Sequence, residues 1–350
     1  LDHYDGKVTC FIRKGKARSL EQRIKTMLVY YFDRDYDELF GSRIFCVEGD
    51  ITNPDSLTAL EAVSAGTVIN CAACVKHFVA DDTLEKINVR GVENLIDLCL
   101  KTGQQLIQVS TVSIAGEGIN GAPPPDKRIR ENELYFDQSL ENAYVHSKFL
   151  AERAVLAAVA DAGLAAKIMR VGNLMSRNSD GEFQINFLHN GFMRGLKGYK
   201  ILGQFPVSAL SQAVEFSPID TTAHAILKLS QTNRALTVFH PYNNHTVYMA
   251  DVLAEMNAYG FNIKVVSDAD FGAALQAGMA DAEVAPAISG LIVYLTSDTT
   301  NHIYPIDPNN QFTTEVLYRI GHSWPITNET YMHKSIAALD GLGFFDLDEN

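Results

Sequence analysis

No run of apolar residues in this chain of 350 reaches the roughly 18 positions that a membrane span requires, and no signal peptide opens it. Cysteine is sparse and odd in number, at positions 10, 46, 71, 74 and 99, with three of the five in strand-like apolar runs. That argues against a disulfide framework and for reduced thiols in a cytoplasmic protein. Cys71-x-x-Cys74 has no second ligand pair at metal spacing, so core packing is its expected role and no metal is expected. Cations are scarce towards the C-terminus: residues 241–350 hold 14 acids against Lys264, Arg319 and Lys334. Most of the net charge of −13 therefore lies there, which argues against nucleic acid or an anionic membrane as partner. An acidic partner is expected to dock on the first 240 residues.

What is present is enough apolar material, 47% of the residues, for one large core or two lobes. The first half alternates strand and helix patterns, which predicts a parallel α/β sheet with helices on both faces. Strands are expected at Lys7–Ile12, Arg43–Glu48, Gly66–Ala72, Leu106–Val112 and Ala166–Val171. Helices are expected at Leu20–Phe32, from near Pro54, at Thr83–Lys101 and at Ala143–Ala162. Beyond about residue 175 the alternation loosens. Gly181–Leu196 reads as a helix, and Val214–Pro218 with Thr221–Leu229 as a strand and helix returning to the first lobe. The expected division is a Rossmann-like lobe of residues 1–175 with 214–240, and a smaller mixed substrate lobe of 176–213 and 241–350. The long irregular segment 116–142, with Pro123-Pro124-Pro125, reads equally as a lid or a surface insertion.

Tyr144-Val-His-Ser-Lys148 places a phenol and an ammonium four residues apart, on one face of a helix. An ammonium nearby favours the phenolate, and a phenol is a good proton donor to a carbonyl receiving hydride. Leu106–Thr111 is an apolar strand ending in two hydroxyls, Ser110 and Thr111. A strand-end hydroxyl followed by Tyr-x-x-x-Lys resembles the active site of the short-chain dehydrogenase/reductase superfamily.

Gly116-x-Gly118-x-x-Gly121 matches a dinucleotide fingerprint in form only, because Ala122 and three prolines follow where a phosphate-binding helix has to begin. Lys7–Ile12 reads instead as the second Rossmann strand. Arg13-Lys14 stands after it, where NAD enzymes carry an acid, and two cations there suit the 2′-phosphate of NADPH. The strand and glycine loop that normally come first are not in the sequence. A doubly wound sheet buries that strand on both faces, so a polypeptide beginning about 25–30 residues earlier is expected. Further cofactor positions follow from strand ends: Asp50 and Ile51, then Asn70, Ala72 and Ala73, then Asn88 on the next helix. Val171, Gly172 and Asn173 fall near the nicotinamide, while Ser110 is expected to touch cofactor or pack.

Further motifs narrow the resemblance. They are Ile12-Arg-Lys14 with Leu20-x-x-Arg23, Glu48-Gly-Asp-Ile51, Asn70-Cys-Ala-Ala-Cys-Val-Lys-His77 and Val109-Ser-Thr-Val-Ser113. Arg170-Val-Gly-Asn-Leu174, Phe216-Ser-Pro-Ile-Asp220, Leu342-Gly-Phe344 and above all Arg177–Phe187 complete the set. Together they resemble the C-terminal thioester reductase domains of nonribosomal peptide synthetases, akin to those of carboxylic acid reductases. The resemblance implies NADPH-dependent reductive release of an acyl or peptidyl thioester held on the phosphopantetheine arm of a carrier domain, downstream of synthetase modules. The product is an aldehyde or, after a second hydride, an alcohol. It implies that Thr111 hydrogen-bonds the carbonyl oxygen, Tyr144 protonates it, and Lys148 holds the nicotinamide ribose and lowers the Tyr144 pKa. His77, Phe78, Phe183 and Phe187 are candidates to line the path of the arm. The carrier is expected to dock on Arg13–Lys25 or Lys197–Lys200. Two other readings share the motifs: an extended-type sugar-nucleotide epimerase or dehydratase, and a cofactor-sensing module without chemistry.

Overall fold

The computed structural model describes residues 4–15, 18–75, 81–116, 128–292 and 307–347. The chain forms two compact units. The first comprises Leu1–Arg170, Ser230–His240 and Tyr304–Thr313; the second comprises Val171–Leu229, Pro241–Ile303 and Thr314–Asn350. Of the segment expected to return to the first lobe, only Ser230–His240 does so; residues 214–229 stay in the second unit.

The first unit is built from β1 (Val8–Ile12), α1 (Leu20–Phe32), β2 (Ile44–Glu48), α2 (Pro54–Glu61), β3 (Thr67–Asn70), α3 (Gly91–Thr102), β4 (Gln105–Thr111), β5 (Arg128–Ile129), α4 (Ala143–Ala162) and β6 (Ala166–Val171). β1 runs parallel to β2, with Val8 opposite Ile44 and Ile12 opposite Glu48. β3, β4, β6 and the strand Val238–Phe239 form a separate sheet, with β4 and β6 in its centre. Leu106 and Ile107 on β4 point to opposite faces and both are fully buried, as a strand covered on both sides requires. Leu57, Leu95, Leu98, Val155 and Ile168 complete this core from α2, α3, α4 and β6. Among the described residues β1 and β3 do not pair with each other, and Val8 and Ile69 on them are each 43% exposed.

Local signals set the helix that carries the Tyr/Lys pair. Asn142 caps α4 by accepting the backbone N–H groups of Tyr144 and Val145 at 3.0 and 3.2 Å. Gly163 closes it in the left-handed conformation at φ 69°. The expected helix Thr83–Lys101 opens with a π-helical turn, Glu85–Arg90, before α3 begins. Such bulges recur at functional sites, and this one holds Asn88.

In the second unit Met193, Phe205, Met256, Leu275 and Phe345 form the core. The helix expected over Gly181–Leu196 is displaced. Gly181 adopts φ 84° against the backbone of Lys334, which halts any helix there. The helix α5 begins only at Gly191, where Asn190 accepts the N–H of Met193 at 3.0 Å, and runs to Leu202.

Candidate active site

β4 and α4 bring the three expected catalytic residues together. The Thr111 hydroxyl hydrogen-bonds the Tyr144 phenol. Its oxygen also accepts the Ser113 backbone N–H at 3.1 Å and lies 3.1 Å from the Ser113 hydroxyl. Lys148, 4% exposed, donates to the carbonyl of Val109 at 2.8 Å. Burial pulls the Lys148 ammonium down to about 8, against the opposing influence of Glu152 and Cys71. The expected depression of the Tyr144 pKa is not found. Burial holds this phenol above its ordinary range, with the Thr111 hydrogen bond as the opposing influence. Loss of hydration outweighs a lysine whose own charge is weakened by burial and whose ammonium is turned to a backbone carbonyl.

The cofactor candidates divide into two groups. Arg13 and Lys14 stand exposed at the end of β1, as a phosphate site requires. The Arg23 guanidinium binds the Arg13 carbonyl and packs over Gly15, adding a third cation to that corner. Ala72 is exposed and Ala73 half-buried beyond the end of β3, which leaves the backbone there approachable. Asp50 engages the amide and hydroxyl of Thr52 at 2.9 and 2.8 Å through one carboxylate oxygen. The Ile51 side chain packs over Gly91, where a Cβ would come within 2.7 Å of it.

Two expected cofactor contacts, Asn70 and Asn88, are turned inward instead, and Ser110, expected to touch cofactor or pack, packs. Asn70 donates to Gln108 across the β3–β4 pair at 2.9 Å and accepts the Ala72 N–H at 3.1 Å. Asn88, 2% exposed, holds both backbone groups of Cys74 at 2.8 and 2.9 Å and donates to Ser147 at 2.9 Å. It is neither a surface residue nor a free contact but a strut joining the turn after β3 to α4. Ser110 is buried and donates to Glu152 at 2.5 Å. In each case the short polar side chain is drawn to a buried partner, because a buried polar group left unpaired is costly.

In the second unit Glu215 organises the turn after β6. Its carboxylate accepts the Asn173 N–H at 2.6 Å and fills the space over Gly172, where a Cβ would lie 2.2 Å from it. Ser217 donates to the same carboxylate. Burial pushes Glu215 up to about 7. Val171 is buried at the end of β6.

Residues 1–226 match the family of NAD-binding domains described as male sterility protein. The structure is similar to a thiolation-reductase di-domain from an archaeal nonribosomal peptide synthetase. That likeness has a TM-score of 0.89 and 38% identity, over 99% of this chain and 72% of the other. This chain belongs to the reductase-domain family. The terminal R domain of the myxalamid pathway has a TM-score of 0.83 at 22% identity, over 99% of this chain and 87% of that one, a likeness of fold. Among curated proteins, 3 beta-hydroxysteroid dehydrogenase type 7 of Rattus norvegicus is 32% identical over 126 residues. That match spans about a third of either protein, 35% of this chain and 36% of the relative. The reductase domain is thus an oxidoreductase of the nicotinamide-dependent, extended short-chain type. No helix among its described residues is long and apolar enough to cross a membrane.

Sequence reasoning missed several parts of the site. Cys71, expected in the core, is exposed within electrostatic reach of Lys148. Glu152 and Glu215 were legible only as an acid four residues after Lys148 and an acid beside Phe216. Phe183 is buried in the core of the second unit, and Phe187 packs edge-on to Phe344 at 5.6 Å, so the expected aromatic lining is core packing. Lys197 is buried against Phe344, and Lys200 donates to the Phe345 carbonyl at 2.8 Å, so that region offers no open cationic patch. His77, Phe78 and the glycines at 118 and 121 lie outside the described residues.

Proposed function

We propose that this domain uses NADPH to reduce an acyl or peptidyl thioester, carried on the phosphopantetheine arm of a carrier domain, and releases it as an aldehyde. The observation that carries the reading is the Thr111–Tyr144 hydrogen bond at the mouth of β4, with Lys148 one helical turn on. When bound, the nicotinamide supplies hydride to the thioester carbon. Thr111 offers a hydrogen bond to the carbonyl oxygen as negative charge develops there. Tyr144, a phenol protonated at neutral pH and held above its ordinary range by burial, gives that oxygen its proton. The resulting hemithioacetal loses its hydroxyl proton and breaks its C–S bond, leaving an aldehyde and a protonated thiol. Lys148 orients the ribose beside these groups.

Arg13 and Lys14, with Arg23 behind them, supply the charge that a 2′-phosphate needs and an NAD enzyme does not. Asn70, Asn88 and Ser110 act from behind, fixing the strand ends and the Cys71–Cys74 turn on which a cofactor rests. A nicotinamide contact is proposed for Gly172 and Asn173, whose turn is shaped by Glu215. The carrier is expected at the cationic face of Arg13–Lys25. The deciding experiment incubates the protein with a synthetic acyl-pantetheine thioester and NADPH and identifies the product by mass spectrometry. Aldehyde or alcohol formed with matching NADPH loss supports the reading. Turnover of a nucleotide sugar without net NADPH consumption, as in an epimerase, refutes it.

A further inference from the structure

Glu152 has no part in the chemistry above, yet it is fully buried one helical turn beyond Lys148. The Arg170 guanidinium grips its carboxylate through Nε at 2.9 and 3.2 Å and Nη2 at 2.8 Å, and the Ser110 hydroxyl donates to it at 2.5 Å. Arg170 also donates to the Glu133 carbonyl at 2.9 Å and lies 3.1 Å from His240 Nε2. His240 Nδ1 faces the Asn309 carbonyl at 2.7 Å, so Nδ1 carries the proton and Nε2 accepts from Arg170.

A buried ion pair is by itself weak grounds for a role, since apolar replacements are often tolerated. Two placements take this one further. Tyr144, Lys148 and Glu152 occupy successive turns of one face of α4. Ser110, the residue Glu152 holds, immediately precedes Thr111 on β4. Around the Lys148 ammonium, α4 presents Tyr144 and Glu152, the turn after β3 presents Cys71, and β4 presents the Val109 carbonyl. Behind Glu152 stands Arg170 of β6. Among the described residues the enclosure thus brings together Lys148, Arg170 and the Glu152 carboxylate.

We propose that Glu152 is a positioning residue for the reduction: its carboxylate is the counter-charge of Lys148 and, through Ser110, the anchor of the strand end that carries Thr111. The inference rests on the reductase reading for its purpose, but its test needs no substrate. Lys148 is labelled competitively with acetic anhydride in the full chain over a range of pH, and the label is quantified by peptide mass spectrometry. In Glu152→Gln the pH midpoint of Lys148 labelling is expected to fall by about one unit, the low end of what a neighbouring opposite charge does to a group on the adjacent helical turn. A folded Glu152→Gln protein with the wild-type midpoint overturns the proposal. Should that variant not fold, the double change Glu152→Gln, Arg170→Gln replaces the ion pair by an amide pair. The midpoint is again expected below wild type, because Glu152 acts on Lys148 from the adjacent turn and Arg170 only from behind it. An unchanged midpoint there also overturns it. Failure of the wild-type protein to reduce a thioester, together with a lowered midpoint in the variant, would count against the proposed function and leave Glu152 as the counter-charge of Lys148.

Discussion

Replacing Asn88 by Ala removes three hydrogen bonds at once: two to the backbone of Cys74 and one to Ser147. At about 1 kcal/mol net for each, the expected cost is roughly 3 kcal/mol. The side chain is 2% exposed, so water does not readily replace the lost partners. The assay is urea unfolding followed by circular dichroism, where the midpoint should fall with an unchanged slope. The same change frees the Cys71–Cys74 turn from α4, so NADPH affinity should weaken more than the KM for the thioester. Asn88→Asp separates the contributions, since it keeps the acceptor for the Cys74 N–H and loses both donors. It should be at least as destabilising as Ala, because a carboxylate is then buried without a counter-charge. A loss below about 0.5 kcal/mol for Asn88→Ala, the range of an ordinary surface change, would refute the strut.

Tyr144→Phe should lower kcat by about 10²–10⁴-fold while leaving the melting temperature near wild type; retention of kcat in a steady-state assay would exclude Tyr144 as the proton donor. Arg13→Ala with Lys14→Ala should weaken NADPH binding by about tenfold or more and leave NADH binding little changed, as measured by fluorescence titration. His240 is held neutral, its pKa drawn down to about 3 by burial and by Arg170. The unfolded chain therefore binds the extra proton between about 6.5 and 3, and stability should be lost as pH is lowered through that window, by up to about 1.4 kcal/mol per pH unit. Melting curves of His240→Gln should show a shallower fall over the same range. Gly181→Ala puts a Cβ about where the Lys334 backbone lies, at a left-handed φ, and should cost roughly 2 kcal/mol or more in urea unfolding.

The first half of the fold was legible because its signals are local. Asn142 and Gly163 delimit α4, and the adjacent apolar pairs Leu106-Ile107 of β4 and Ile168-Met169 of β6 mark strands buried on both faces. The Thr111, Tyr144 and Lys148 constellation was legible because spacing on a strand and a helix fixes direction. Asn70 and Asn88 were read as reaching outward, and Ser110 as either touching cofactor or packing, since a sequence tells that a side chain is polar and not which partner satisfies it. Their partners Gln108, Ser147 and Glu152 lie 38, 59 and 42 residues away. The start of α5 was misplaced for a related reason: a tertiary contact between Gly181 and Lys334 overrides the apparent helical pattern of the segment.

The alternation along β4 carries one more consequence. Ser110 and Thr111 bear the same functional group, yet the pleat sends one into a closed ionic network and the other to the Tyr144 phenol. Exchanging these two side chains would leave a hydroxyl at each place and so look chemically silent. It would nonetheless press the threonine methyl into the space that the serine now fills against Glu152. Exchanging the two side chains by mutation therefore asks whether the domain distinguishes them by reactivity or by volume. The packing beside Glu152 favours volume.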